Sequence, residues 1–329
     1  MRSQNTYNVT WLINPLDPIR IASKMLSGVT ELHAAGRIRL RFGRLPVPVS
    51  ADPPGSYWEV TQPATGRTRR IFIDYHDASN LFSDRALDYV DAYFKRGFEP
   101  AEAAKLGARA RLVHPYGLNF SCLVPGARTR LALMTLGKFF SDLRTHKPGA
   151  AWDDFVYNGK LLNNLPVPTA FELAPGEQRV SKVIYQSRIW PPEESEDNLP
   201  GLNRERISLV RALKKELGEQ FVGGIREDWF SRQECPDITV SEGTHRQQFV
   251  RQARCIRVGI YTRGVHHSIG FKMAEYLAAG QCIVSTPFRH VLPQPLVPGV
   301  NYLEYETDDE CVEQCRRLLS DRQLAETMA

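Results

Sequence analysis

A loop between residues 263 and 270 carries the side chains in this sequence that are best suited to binding a phosphate. Gly264 and Gly270 allow a ligand to approach the backbone closely, and Arg263 adds a positive charge. Because a predicted strand precedes the loop and a predicted helix follows it, Ser268 and Gly270 are expected to present N–H groups at the positive end of the helix dipole. The segment therefore predicts a cradle for a diphosphate, although its glycines match neither a dinucleotide fingerprint nor a Walker loop.

The sequence that follows the loop resembles the nucleotide-binding motif of GT-B glycosyltransferases. This motif spans residues 270–285 and reads GFKMAEYLAAGQCIVS. In that family a glutamate at the place of Glu275 accepts hydrogen bonds from the ribose hydroxyls, and its two carboxylate oxygens suit a diol. The resemblance implies that His267, Ile269 and Lys272 also contribute to donor binding.

The retaining branch of the GT-B family often has a further glutamate eight positions earlier, where this sequence has His267. The retaining mechanism therefore does not carry over, and the histidine is expected to contact phosphate or sugar. The resemblance extends to residues 183–188, a predicted strand followed by Arg188. Family members often place a cation there, and a guanidinium can contact two phosphate oxygens at once, which reduces the need for a metal. We therefore predict no cofactor and no metal site.

The first half of the chain resembles one subgroup of bacterial GT-B enzymes at residues 91–96 and 114–119. A transfer with inversion needs a general base that removes the acceptor proton, and a carboxylate or histidine can serve. His76 and Asp77, which follow a predicted strand, are the candidates, and Asp17 after the first strand is the reserve. Asp77 could instead cap the helix that follows it.

Strands and helices alternate along much of the chain, which predicts an α/β fold with parallel strands covered by helices. The length of 329 residues suits two domains. Residues 145–176 are rich in proline and lack apolar periodicity, which is typical of an interdomain connection. We predict an acceptor-side Rossmann-like domain with linker at 1–170 and a nucleotide-sugar-binding Rossmann-like domain at 171–329. The GT-B resemblance implies that they face each other across a cleft.

Composition limits the class of protein. Hydrophobic residues make up 42% and charged residues 24% of the chain, and it contains no run of about 18 apolar residues that could span a bilayer. The short apolar stretch near the N-terminus does not match a secretory signal, so a cytoplasmic protein is expected. The six cysteines lack zinc-ligand spacing. The net charge of +5 favours phosphate-rich ligands or peripheral association with an anionic membrane surface.

The preferred function is metal-independent transfer of a hexose-type sugar from a nucleoside-diphosphate sugar to a glycan, lipid-linked or other acceptor. Polysaccharide biosynthesis is implied by the resemblance alone. A catalytically silent GT-B-like protein that binds a nucleotide or glycan is the alternative from another class, supported by His267 and by the end of the sequence at Ala329, before the final helix of other members. A nucleotide-sugar epimerase is a third interpretation. A DNA-modifying glycosyltransferase is a minor one, because the sequence has no basic stripe interleaved with aromatic residues.

Overall fold

The computed structural model describes residues 6–13, 19–45, 55–145, 148–173, 177–194 and 199–329. The chain divides into two compact units, one made of residues 1–167 with 290–293 and the other of residues 168–289 with 294–329. Each unit contains a six-stranded sheet with helices packed on it. The α/β class predicted from the sequence is confirmed. The division predicted at residue 170 places the short segment 290–293 in the second domain, whereas in the structure it packs with the first unit.

The sheet of the first unit is mixed. Its strands are β1 (Tyr7–Ile13), β2 (Ile38–Arg44), β3 (Gly55–Thr61), β4 (Thr68–Asp74), β5 (Ala92–Lys95) and β6 (Val113–Pro115). They lie in the order β2-β1-β3-β4-β5-β6, and β3 is antiparallel to both of its neighbours while the other pairs are parallel. A hairpin with its turn at Pro63 and Gly66 joins β3 to β4, so it inserts an antiparallel strand into a sheet that is otherwise parallel.

Five helices of the first unit accompany this sheet in the described part of the chain. They are α1 (Ile19–Ala34), α2 (Asp84–Tyr89), α3 (Pro100–Ala104), α4 (Pro125–Thr145) and α5 (Pro148–Asn164). One apolar core joins α1 and α4 to the sheet, and in it the rings of Trp11 and Trp58 stack with centroids 4.6 Å apart. These two tryptophans lie directly opposite each other on β1 and β3, as cross-strand pairs do.

The prediction that residues 145–176 form an interdomain connection is wrong for most of that segment. Helix α5 occupies 17 of these residues and packs against α4, where the rings of Phe139 and Phe155 lie 4.9 Å apart. Proline is tolerated in the first turn of a helix and disfavours helix for the residue before it. Pro148 therefore opens α5 and Pro166 follows its end, so the prolines mark the limits of the helix.

The sheet of the second unit is entirely parallel. Its strands are β7 (Val180–Ser187), β8 (Phe221–Arg226), β9 (Thr239–Val240), β10 (Ile256–Tyr261), β11 (Cys282–Ser285) and β12 (Leu303–Glu304), in the order β12-β11-β10-β7-β8-β9. This is the strand order of a doubly wound Rossmann sheet, in which the order reverses between the first and fourth strands. The reversal lies between β7 and β10, and ligands of such sheets bind outside the carboxyl ends of the strands at that point.

The helices of the second unit are α6 (Leu199–Leu217), α7 (Trp229–Glu234), α8 (Arg246–Cys255), α9 (Phe271–Ala278), α10 (Asp308–Ser320) and α11 (Arg322–Met328). Helix α10 starts at a capping box, in which Thr307 and Glu310 exchange side chain–backbone hydrogen bonds. Helix α9 ends before Gly280, whose φ of +59° suits glycine, and Arg179 donates a 2.6 Å hydrogen bond to the carbonyl of Ala279. In the described part of the chain, no helix is long and apolar enough to cross a membrane.

Candidate functional site

Helix α6 holds the backbone of both loops that leave the sheet at its switch point. Arg206 on α6 donates hydrogen bonds to the carbonyl of Arg188 after β7, at 2.7 Å, and to the carbonyl of Arg263 after β10, at 2.8 Å. One turn earlier, Asn203 accepts a hydrogen bond from the Trp190 N–H at 3.1 Å and donates one to its carbonyl at 2.7 Å. The two loops are therefore fixed to the same helix.

Arg206 is a buried cation, since only 5% of its surface is exposed. Burial lowers the pKa of its guanidinium, and the charges of Arg263 and Arg188 contribute in the same direction. Its Nε is buried without a hydrogen-bond partner in the described part of the chain. The Trp190 ring centroid lies 4.6 Å from the Arg188 guanidinium carbon and 4.5 Å from that of Arg206. Glu205 forms an ion pair with Arg263 at 2.9 Å. The arrangement concentrates positive charge at the switch point.

The predicted phosphate loop uses its own backbone groups internally. Gly264 N–H donates to the Ser268 carbonyl at 2.9 Å, and Ser268 N–H donates to the Val265 carbonyl at 3.1 Å. The Gly270 N–H donates to the hydroxyl of Tyr261 at 2.6 Å, and that hydroxyl donates to the Ser268 carbonyl at 3.0 Å. The N–H groups of Ser268 and Gly270 are therefore not available to a ligand in this conformation, contrary to the prediction. Tyr261, the last residue of β10, accepts the hydrogen bond of the Gly270 N–H.

Backbone strain is concentrated in the same loop. His266 and His267 have φ values of +54° and +58°, in the left-handed region that non-glycine residues seldom occupy. Gly264 closes the turn beneath them, because a Cβ at this position would lie 2.5 Å from Ser268 Oγ and 2.8 Å from the Ser268 carbonyl oxygen. The loop thus places two histidines side by side in a conformation that its internal hydrogen bonds maintain.

Gly270 differs from Gly264 in what its surroundings require. Its φ is −76°, which any residue adopts, and the nearest atom to a Cβ built there would be the Tyr261 hydroxyl oxygen at 3.6 Å. The chain itself therefore has room for a side chain at position 270. A glycine at such a position fits a ligand that lies against the backbone.

Glu275 is buried on α9, with 3% of its surface exposed, and its Oε1 accepts a 2.6 Å hydrogen bond from Arg246 at the start of α8. Lys272, one turn earlier, lies with its Nζ 3.6 Å from the centroid of the Phe249 ring. Burial lowers the pKa of Lys272 to about 8, Glu275 opposes that change, and Arg246 and Arg206 add to it. These charges therefore form one electrostatic cluster with the arginines at the switch point.

Sequence reasoning did not identify Arg246, and it did not identify Arg206 as the residue that anchors the two loops. Arg246 is 29 positions before Glu275, and no spacing motif connects the two. Arg206 lies on a helix whose arginines and glutamate resemble an ordinary solvated face. A sequence signal does exist for Arg206, because it stands on the same face of the helix as buried Val210 and Leu213.

In the first unit, a buried carboxylate organises the turn after β4. Asp74 accepts hydrogen bonds from the Tyr93 hydroxyl at 2.5 Å, from the Lys95 ammonium at 3.0 Å and from the His76 N–H at 2.7 Å. His76 Nδ1 in turn accepts a 3.1 Å hydrogen bond from the Ala78 N–H. A neutral imidazole that accepts at Nδ1 carries its proton on Nε2, so this contact favours a donor at Nε2 of His76.

Of the two aspartates predicted as general-base candidates, the structure describes Asp77 only. The Asp77 carboxylate forms an ion pair with Arg96 at 2.7 Å, and 36% of its side chain is exposed. It does not cap the next helix, because Ser83 is the N-cap of α2 and accepts the hydrogen bond from Ala86 N–H. Asp17 lies outside the described residues.

The comparison with protein families concerns the unit that carries the predicted donor residues. Residues 204–329 match the model of the family described as Glycosyl transferase-like. The matched segment is similar to that family over this part of the chain. It begins in α6 beside Arg206 and contains every donor-site candidate except Arg188. The match confirms the glycosyltransferase resemblance predicted from residues 270–285.

The chain is also similar to solved structures. The C-terminal domain of a glycosyl transferase group 1 family protein (LpcC) from Francisella tularensis has 11% identity and a TM-score of 0.34, with 49% of this chain and 91% of that chain covered. An alpha1,3-fucosyltransferase has 10% identity and a TM-score of 0.39, with 100% and 83% covered. Alr3699/HepE from Anabaena in complex with UDP has 12% identity and a TM-score of 0.31, with 91% and 81% covered.

No curated protein matches the chain. Within the described ranges, no group of three or more His, Cys, Asp or Glu side chains could hold a metal ion. The charged side chains described above for the candidate site are its arginines, Lys272 and Glu275, all within the second unit.

Proposed function

We propose that this protein transfers a hexose-type sugar from a nucleoside-diphosphate-sugar donor to a glycan, lipid-linked or other acceptor without a metal. The observation that carries the proposal is the pair formed by buried Glu275 and half-buried Arg246 beside the switch point of a Rossmann sheet. Arg246 holds Oε1 of the carboxylate, and Oε2 makes no hydrogen bond with the described residues. A carboxylate with one oxygen fixed and the other available is suited to accept hydrogen bonds from a ribose diol.

The arginines support a diphosphate at the switch point. Arg188 is exposed and its guanidinium lies over Trp190, so it can reach a ligand, whereas buried Arg206 holds the two loops in place. Charge that develops on a departing diphosphate is stabilised by fixed cations at such a site. Arg263 and Lys272 add to this field, and a neighbouring phosphate would raise the pKa of Lys272 again.

In the acceptor step we assign the general base to Asp77 rather than His76. The His76 ring accepts at Nδ1 and therefore donates at Nε2 when neutral. Asp77 Oδ1 is paired with Arg96, which leaves Oδ2 to accept a proton from an acceptor hydroxyl. Inversion at the transferred sugar follows from this assignment.

The first experiment measures thermal stabilisation of the purified protein by a panel of nucleoside diphosphates and nucleotide sugars. We expect one nucleotide to raise the Tm of the wild type, and Glu275→Ala and Arg188→Ala to lose that increase. Glu216→Ala and Arg316→Ala are the matched controls, because these residues form an exposed ion pair in the same unit. They should keep the full shift. If no nucleotide stabilises the wild type, the proposal is wrong.

A second experiment separates transfer from binding alone. The silent-binding alternative is favoured by the strained histidine at position 267, where the retaining branch has a glutamate. We expect slow hydrolysis of the donor whose nucleotide stabilises the protein, and Asp77→Asn to lower hydrolysis at least tenfold with the same nucleotide-induced shift. A nucleotide-induced shift without any donor hydrolysis or transfer would favour the silent binder.

A further inference from the structure

Helix α4 of the first unit carries an apolar stripe that the described chain leaves uncovered. Its members lie three or four positions apart and are between 38% and 62% exposed: Leu133, Leu136, Phe140 and Leu143. The opposite side of the helix is also apolar, since Ala127 and Leu131 are fully buried in the core of the first unit. A helix on a protein surface normally has one apolar stripe, which faces the core. A second, exposed stripe indicates a contact outside the described chain.

The stripe is narrow, continuous and extended by an aromatic side chain from α5. At about 100° per residue, its four members fall within a sector of about 80° and cover roughly 15 Å along the helix. Trp152 is 57% exposed and its ring centroid lies 6.2 Å from that of Phe139, the neighbour of Phe140. Tryptophan and phenylalanine beside leucine are the residues that enter the headgroup boundary of a bilayer.

The exposed charged side chains that border the stripe on α4 itself are positive. Arg128 and Arg144 are exposed and border it on opposite sides, about 60° and 20° beyond its edges at the same angular spacing. The acidic residue of α4, Asp142, faces away, because its side chain is buried and ion-paired with Lys138 at 2.6 Å. On α5, Asp153 and Asp154 are exposed, so α4 is the helix whose surface complements an anionic partner.

We propose that α4 is a docking surface for an anionic lipid bilayer, with the leucines and Phe140 in the acyl boundary and Arg128 and Arg144 on lipid phosphates. An apolar face flanked by arginines is the pattern of a helix that lies in the plane of the interface. Each cation near an anionic bilayer adds to the attraction, which falls with ionic strength. This inference does not depend on the function proposed for the second unit.

The test is co-sedimentation of the full chain with two kinds of vesicle at two salt concentrations. One kind is phosphatidylcholine alone, and the other contains phosphatidylglycerol as about a third of the lipid. We expect binding to the anionic vesicles that weakens in high salt. Phe140→Ser with Leu133→Ser should lower the partition coefficient about tenfold or more, because burial of large apolar side chains is lost. Arg128→Gln with Arg144→Gln should remove the preference for anionic lipid.

Matched controls lie elsewhere on the surface. Val300→Ser changes a side chain that is as exposed as Phe140, and Arg67→Gln with Arg69→Gln removes two exposed charges from the β3–β4 hairpin. These variants should bind vesicles like the wild type. The proposal is overturned if the wild type does not bind anionic vesicles, or if the stripe variants bind equally well. It is also overturned if sedimentation velocity shows a wild-type dimer that the stripe variants convert to monomer, since a second copy would then cover the stripe.

Discussion

The sheets of the two units each have six strands, but the units differ in how completely a buried charge is hydrogen-bonded. In the first unit, the Asp74 carboxylate has three hydrogen-bond donors from its own chain, including Lys95 and Tyr93. In the second unit, Arg206 is buried on backbone carbonyls, and its Nε lacks a hydrogen-bond partner in the part of the chain that the structure describes. A satisfied buried network fixes a structure, whereas an incompletely compensated buried cation favours the arrival of an anion.

Strand direction explains part of this difference. The all-parallel sheet of the second unit brings the carboxyl ends of β7 and β10 side by side, so one helix can hold both loops. In the first unit, antiparallel β3 separates β1 from β4. The turn after β4 is therefore held from the other side, by residues of β5. The comparison predicts that mutations in the two networks affect stability and ligand binding differently.

The largest stability effect is expected for Lys95→Met. The change leaves the Asp74 carboxylate buried with only two donors, and removal of one partner from a buried pair destabilises a protein by about 3–5 kcal/mol. Chemical denaturation should show this loss, while the affinity for a nucleotide stays within twofold of the wild type. Arg109→Gln is the control, because its pairs with Asp84 and Asp88 are exposed and screened by solvent, so its loss of stability should be much smaller. Equal losses for the two variants would contradict the role of the Asp74 network.

Arg206→Gln should weaken nucleotide binding more than it lowers stability, the reverse of Lys95→Met. It removes two hydrogen bonds to loop carbonyls but also removes a buried charge, so we expect a stability loss of only about 1–2 kcal/mol. The dissociation constant of the stabilising nucleotide should rise more than tenfold, because both loops lose their common anchor. Titration calorimetry measures this constant, and Trp190 fluorescence should change as its neighbouring cation disappears. Unchanged affinity would show that α6 does not organise the site.

Alanine substitutions at two glycines of the second unit should distinguish an effect on stability from an effect on nucleotide binding. Gly264→Ala places a Cβ 2.8 Å from the Ser268 carbonyl oxygen, so the loop must shift, with a loss of about 1–2 kcal/mol. Gly270→Ala meets nothing closer than 3.6 Å and should change stability by less than about 0.5 kcal/mol. It should nevertheless weaken nucleotide binding if the ligand lies against the backbone there. Differential scanning fluorimetry with and without nucleotide distinguishes the two effects.

A pH dependence of stability is expected from Lys272. Its pKa in the folded protein is about 8, below the ordinary lysine value of 10.5. Between these values the unfolded state binds more protons than the folded state, so the free energy of unfolding gains a contribution that rises with pH. Relative to Lys272→Met, the wild type should therefore become more stable from pH 8 to pH 10, in denaturation at matched ionic strength. A difference that is constant or falls over this range would contradict the lowered pKa.

The sequence was sufficient for several local features because their causes are local. Strict alternation of arginine with Ile38 and Leu40 predicts β2, and Thr307 with Glu310 predicts the start of α10. The apolar segments of β10 and β11 likewise indicate strands, since strands covered on both faces are continuously apolar. Helix α5 was missed because its flanking prolines resemble those of a linker.

The sequence by itself determined the α/β class, the position of Glu275 on a helix after a loop, and the glycosyltransferase resemblance of residues 270–285. Each of these is written in a short segment with its own periodicity or motif. Only the tertiary structure decided that Arg246 meets Glu275, that Tyr261 takes the Gly270 N–H, and that Arg206 joins two loops. These contacts join elements that are distant in sequence, and their partners are chosen by strand order and helix packing, which no local pattern encodes.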